Sequence, residues 1–149
     1  MVDDKGNIRD KAYIDDNGLN PVDPNGNVSV TSHVQGGATN NQNISTSAPT
    51  GPGTPNVYGS DKIEIDTKGL QEAINNGQIT DITIITPQQV VNELTSGVEK
   101  AQKRFDTNPS VNNRNALNRA NQRLNNATRD NECIISGDCI PSEFIKKVE

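Results

Sequence analysis

Two apolar stripes of helical period, separated by a stop and a restart, constrain this chain more than any other feature. Thr86-Pro87-Gln88-Gln89 supplies an N-cap, a proline at the first helical position and a glutamine three residues after the cap. Side chains so placed satisfy the amides left open at a helix start. From there Val91, Leu94, Val98, Ala101 and Phe105 recur at three and four and predict one buried face on a helix reaching Phe105. Asp106-Thr107-Asn108-Pro109 then reads as a stop and restart, with Asn108 the expected cap and Pro109 the first helical residue. Leu117, Ala120, Leu124 and Ala127 repeat the spacing on a second helix to Thr128. So short a turn makes the two helices antiparallel neighbours, and alanine permits close approach. A helical hairpin is expected.

Shorter elements flank it. Lys62-Ile63-Glu64-Ile65-Asp66 alternates as a half-exposed strand does. Thr67 is the expected cap of a short helix from Lys68 to Asn76, with Gly77 as its stop. Thr80 to Ile85 is rich in β-branched residues and reads as a second strand. After the hairpin, Glu132-Cys133-Ile134-Ile135-Ser136 reads as a strand, Gly137-Asp138 as a turn and Cys139-Ile140 as the start of a return. Pro141-Ser142 opens a last short helix or extended segment through Val148. This order specifies a small α+β domain, with a small sheet and the helices expected on one face of it.

Composition places the boundary of that domain. Residues 1–60 hold 16 of the 45 apolar residues but 13 of the 20 Gly and Pro, so little of this lead can be buried. Gly36 to Gly59 is mostly Gly, Asn, Thr, Ser and Pro, which cannot offset the entropy of ordering the backbone, and a flexible linker is expected there. We therefore expect residues 1–60 to be a largely irregular, polar lead and residues 61–149 to be the compact domain. Within the lead, Asp3-Asp4-Lys5-Gly6-Asn7, Asp15-Asp16-Asn17-Gly18 and Asp23-Pro24-Asn25-Gly26-Asn27 are turn sequences lacking the carboxylates of a calcium loop. Val28-Ser29-Val30-Thr31 alternates and suggests an edge strand. Apolar runs of two or three residues exclude a membrane span, and no basic stretch followed by an apolar core marks a cleavable signal peptide.

Three clusters carry the candidate chemistry. Cys133 and Cys139 flank a tight turn and are either a cross-strand disulfide or two small reduced hydrophobes. His33, the only histidine, lies across the linker, so neither a metal site nor a histidine-based nucleophile is expected in the domain, and no cofactor is called for. The charge is segregated: residues 1–97 carry five basic and twelve acidic side chains, whereas 98–149 carry nine and seven. Thr107 to Arg129 has no carboxylate. Arg119 and Arg123 share a helical face there, with Asn112, Asn115 and Asn126 nearby, a set that suits phosphate and base-edge contacts or is simply a solvated face. Arg129-Asp130-Asn131-Glu132 sits where the helix meets the strand, and its two carboxylates suit acid–base work or an ordinary charged helix end. Glu64 and Asp66 would join them if the sheet order allows, and Tyr58-Gly59 would add a hydroxyl and a close backbone approach.

The run Glu132-Cys133-Ile134-Ile135-Ser136-Gly137-Asp138-Cys139-Ile140-Pro141 and onward to Val148 resembles the closing pattern E-x-L-I-x-G-x-I-P-x-x-x-I of C-terminal toxin domains of bacterial polymorphic toxins, of the Rhs and contact-dependent inhibition types. A polar lead before a compact terminal domain is similar to their layout, although the pretoxin tetrapeptide Val-Glu-Asn-Asn is absent. The resemblance implies a secreted domain delivered into a target bacterial cell, acting in its cytoplasm, and a cognate immunity protein as partner. It implies most often a nuclease. A ribonuclease needing no metal would use Arg119, Arg123, Asn126 and Tyr58 for RNA binding, and Glu132, Asp130 and Arg129 in catalysis. ADP-ribosyltransferases and NAD-cleaving toxins form a second group, with a catalytic Glu at the start of a late strand, as Glu132 would be, and an Arg or His on an early one. A non-enzymatic structural segment, with the hairpin as its interaction surface, is the third alternative.

Overall fold

In the computed structural model, residues 18, 19, 21, 23, 25, 26, 28–35, 42–48 and 62–148 are described. The turn sequences at 3–7 and 15–17, and Tyr58 with Gly59, lie outside them. The described residues form an α+β fold of four α-helices and five strands: α1 (Val30–Gln35), β1 (Asn43–Ser47), β2 (Lys62–Ile65), α2 (Thr67–Asn75), β3 (Ile82–Ile85), α3 (Pro87–Thr107), α4 (Val111–Arg129), β4 (Glu132–Gly137) and β5 (Ile145–Val148).

The helical hairpin forms as its spacing dictates. Thr86 Oγ1 accepts from the Gln89 amide at 3.3 Å, and Gln89 Oε1 accepts from the Thr86 amide at 2.9 Å, a reciprocal capping box. The restart differs by two residues. Ser110, not Asn108, caps α4 through the Asn113 amide, while the Asn108 amide closes the end of α3 on the Arg104 carbonyl. Proline therefore precedes the second cap instead of opening the helix. The buried stripe of α3 is also set differently: Val90 and Leu94 are buried and Val91 is only half-buried. On α4, Ala120 and Ala127 are buried. At the far end Arg114 lies over the Phe105 ring, 5.7 Å from its centroid, a contact that joins the two helices near their turn.

β4 is the middle strand of a three-stranded antiparallel sheet of order β1-β4-β3. Its adjacent residues Ile134 and Ile135 point to opposite faces and are both fully buried, at 0% and 1% exposure. Ile134 packs with Val30, Val90, Leu94 and Ala127, so α1 and the hairpin cover one face. Ile135 packs with Leu19, Ile44, Leu70, Ile82 and Ile140. The second face is thus covered by α2 and by a separate antiparallel ribbon of β2 and β5. The expected arrangement, all helices on one side of one sheet, is corrected: strands buried on both faces need a layer on each.

Within the lead, two pieces differ from expectation. Part of the expected linker is β1, paired along its length with β4 from Asn43 opposite Ser136 to Ser47 opposite Glu132. Val28 to Thr31 is not a strand. The Ser29 hydroxyl accepts from the Ser32 amide at 3.2 Å and starts α1, whose Val30 and Val34 face the hairpin one turn apart. Gln42 and Asn43 side chains hydrogen-bond the Val28 backbone at 2.9 and 3.0 Å, joining α1 to β1. Leu19 and Ile140 exchange two backbone hydrogen bonds of 2.9 Å. Residues on both sides of position 60 therefore build one core. The Asp23 turn forms as expected, its carbonyl accepting from the Gly26 amide at 3.1 Å.

Two smaller corrections follow from local chemistry. Asp66, one residue before the expected Thr67, caps α2 by accepting from the Gly69 amide at 2.9 Å. Of the two states left open for the cysteines, Cys133 and Cys139 are free thiols. Gly137 takes φ +124°, with the Asp81 carbonyl where a Cβ would stand, and the Asp138 amide bonds that carbonyl at 3.0 Å. The chain is drawn toward β3's start, and Ile140 pairs with Leu19 instead of folding back on β4.

Candidate functional site

The junction of α4 and β4 is built by one residue. Asn131 is buried at 1% exposure with φ +48°, a left-handed conformation that Asn tolerates better than most side chains. Its carbonyl accepts from the Ala48 amide at 2.9 Å, which ties the turn to the end of β1. This reversal brings Glu132 back beside the last turn of α4.

A cleft of about 240 Å³ opens there, lined by Ser45, Thr46 and Ser47 of β1, Val34 of α1, Asn126, Arg129 and Asp130 of α4, and Glu132. Four of the side chains pair with one another through short polar contacts. The Ser45 hydroxyl donates to Glu132 Oε1 at 2.7 Å, across the sheet. Arg129 Nε donates to Asp130 Oδ1 at 2.7 Å and Nη2 to Oδ2 at 2.9 Å, a two-point pairing. Arg129 is 64% exposed and Asp130 19%, so this pair adds little stability and serves to orient the guanidinium over the carboxylate. The carbonyl end of α4 and two carboxylates gather hydrogen-bond acceptors at this corner.

A second cavity, about 260 Å³, runs between α3 and α4. Its floor is small and apolar: Leu94, Gly97, Ala101, Ala116 and Ala120. Around it stand Lys100 and Arg104 from α3 and Arg119 and Arg123 from α4, with Thr31 of α1 at one end and, among the described residues, no carboxylate in the lining. Arg119, Arg123, Asn126 and Asp130 follow one another at four, three and four residues, so one face of α4 runs from the cationic groove into the cleft.

Of the expected site residues, Arg129, Asp130, Glu132 and Asn126 meet in the cleft, and Arg119 and Arg123 line the groove. Tyr58 lies outside the described residues. Asn112 and Asn115 are exposed and line neither cavity. Glu64 and Asp66 do not join, because β2 belongs to the other sheet. Sequence reasoning missed Ser45, Thr46 and Ser47, hidden in a polar segment, and Lys100 and Arg104, which carried a signal in their spacing of four on one helix. His33, expected far away, rides on α1 against the hairpin but lines neither cavity.

Among the described residues, no three His, Cys, Asp or Glu side chains converge as metal ligands, and no helix is long and apolar enough to cross a membrane. The chain matches no protein-family model, and comparison with curated proteins and with solved structures gives no significant match.

Proposed function

We propose that this chain is a toxin-type ribonuclease domain that acts in the cytoplasm of a target bacterial cell and is neutralised by a cognate immunity protein. The observation that carries the reading is the single face of α4 on which two arginines, Arg119 and Arg123, lead to a cleft holding the carboxylates of Asp130 and Glu132. Glu132 is the base. One of its oxygens takes the Ser45 hydroxyl, and among the described residues the other accepts no hydrogen bond. It removes the proton of a ribose 2′-hydroxyl, whose oxygen attacks the neighbouring phosphorus. The bond from phosphorus to the 5′ oxygen breaks, and that oxygen takes a proton from solvent, leaving a 2′,3′-cyclic phosphate. Arg129, held by Asp130, offsets charge growing on the non-bridging oxygens.

Purified protein incubated with total RNA tests this directly. Cleavage is expected, and Glu132→Gln is expected to lower its rate by about 10²–10⁴-fold with unchanged thermal unfolding, the range for a lost general base. RNA left intact by the wild type overturns the reading, and full activity in the variant overturns the assignment of Glu132. Expression without an immunity partner is expected to be toxic for the wild type alone.

One observation favours cleavage of NAD as a second reading: Glu132 opens a late strand and is held by a serine of the neighbouring strand. Against it, β1, the first described strand, carries neither Arg nor His. Loss of NAD on incubation, with RNA intact, would select it.

A further inference from the structure

We infer that the groove between α3 and α4 is a subsite for the backbone of single-stranded RNA, with Lys100 and Arg104 of α3 as phosphate contacts alongside Arg119 and Arg123. The inference rests on the ribonuclease reading of the adjoining cleft and extends it from the scissile phosphate to its neighbours. Four like charges from two helices surround one cavity of about 260 Å³. Among the described residues Lys100, Arg104 and Arg119 form no ion pair, so their mutual repulsion is not relieved within the protein. A bound polyanion relieves it.

Shape and continuity favour a nucleic-acid strand. Eleven residues separate Arg119 from Asp130, about 16 Å along the helix, a length that takes a few nucleotides rather than one. An open groove of about 260 Å³ between two helices suits one flexible strand better than a rigid duplex. Among the described residues no aromatic side chain lines it, so stacking on bases has no platform there and binding depends on the phosphates. The predicted consequences are indifference to base sequence and a steep salt dependence.

Fluorescence anisotropy with labelled 2′-O-methyl oligonucleotides, which lack the attacking hydroxyl, measures this without cleavage. The octanucleotide is expected to bind more tightly than the dinucleotide, whatever its sequence. Lys100→Gln with Arg104→Gln alters two exposed side chains, and thermal unfolding of this double variant is expected to match the wild type. Two lost phosphate contacts remove about 1.4 from the slope of log affinity against log salt, at about 0.7 each. Between 50 and 200 mM salt the wild type should therefore lose about sevenfold more affinity than the double variant. An unchanged slope and affinity in a folded double variant overturns the subsite. Oligo-glutamate that displaces the octanucleotide at lower concentration than unlabelled octanucleotide does would assign the groove to an acidic protein instead. Failure of the two readings is separable: RNA cleaved with unchanged oligonucleotide binding in the double variant removes only the groove, whereas binding as expected with RNA left intact removes only the ribonuclease.

Discussion

Burial pushes the Cys133 thiol above its ordinary value of 9.0, the Glu132 carboxylate adds to the rise, and a hydrogen bond with Thr46 opposes it. Burial, then the charge of Asp138, raises Cys139 in the same direction. Well below pH 9.0 both thiols are protonated in folded and unfolded chains, so stability there does not vary with pH through them. As pH rises through 9.0, the unfolded chain releases thiol protons that the folded chain retains, and stability falls until the folded thiols also ionise. Cys133→Ala should lose part of that slope. Denaturant unfolding of both proteins on either side of pH 9.0 checks it, and parallel pH profiles would refute it. Residue-scale legibility of the site follows separation along the chain. Arg129, Asp130 and Glu132 are neighbours where α4 passes into β4 and could be grouped by inspection. Ser45 reaches Glu132 across 87 residues of separation, through a strand pairing that no local pattern reports.

At the scale of elements, what could be read is what side chains do to their own backbone. The Thr86 capping box is complete within four residues, and the structure reproduces it atom for atom. Thr67 is the expected cap of α2, but the cap is Asp66, the residue whose oxygen meets the free Gly69 amide. The stripe of α3 shows the same limit. Val90 and Val91 both precede Leu94 at helical spacing, and only the position of Ile134 selects Val90. The capping box gives a direct test. Thr86→Ala removes the acceptor for the Gln89 amide and should destabilise the protein by about 1 kcal/mol. For a chain of this size that lowers Tm by about 2–4 °C. Thr86→Ser keeps the oxygen and should recover most of it. Equal losses in Ala and Ser variants would show that the methyl group, not the cap, stabilises α3.

For the whole molecule, the low apolar content of the first 60 residues invited a division that packing does not respect. β1 reads as polar because only Ile44 among its five residues is apolar. Its stability comes from backbone bonds to β4 and from one buried side chain, neither of which depends on composition. Leu19 and Val30 likewise come from the polar lead yet are buried, one in each half of the core. A fragment of residues 61–149 loses all three. At about 1.5–3 kcal/mol for each buried side chain the loss is about 4.5–9 kcal/mol, against a total stability of about 5–15 for an ordinary domain. It also leaves β4, the central strand, with an open edge carrying unpaired amides and carbonyls. We therefore expect the fragment to lack a cooperative urea transition and amide shift dispersion, while helical signal from the capped hairpin partly survives. Restoring residues 18–60 should restore both. A fragment of 61–149 that unfolds cooperatively at the full chain's midpoint would mean that the hairpin, α2 and the strands after residue 60 suffice, and that β1 and α1 only decorate a finished core.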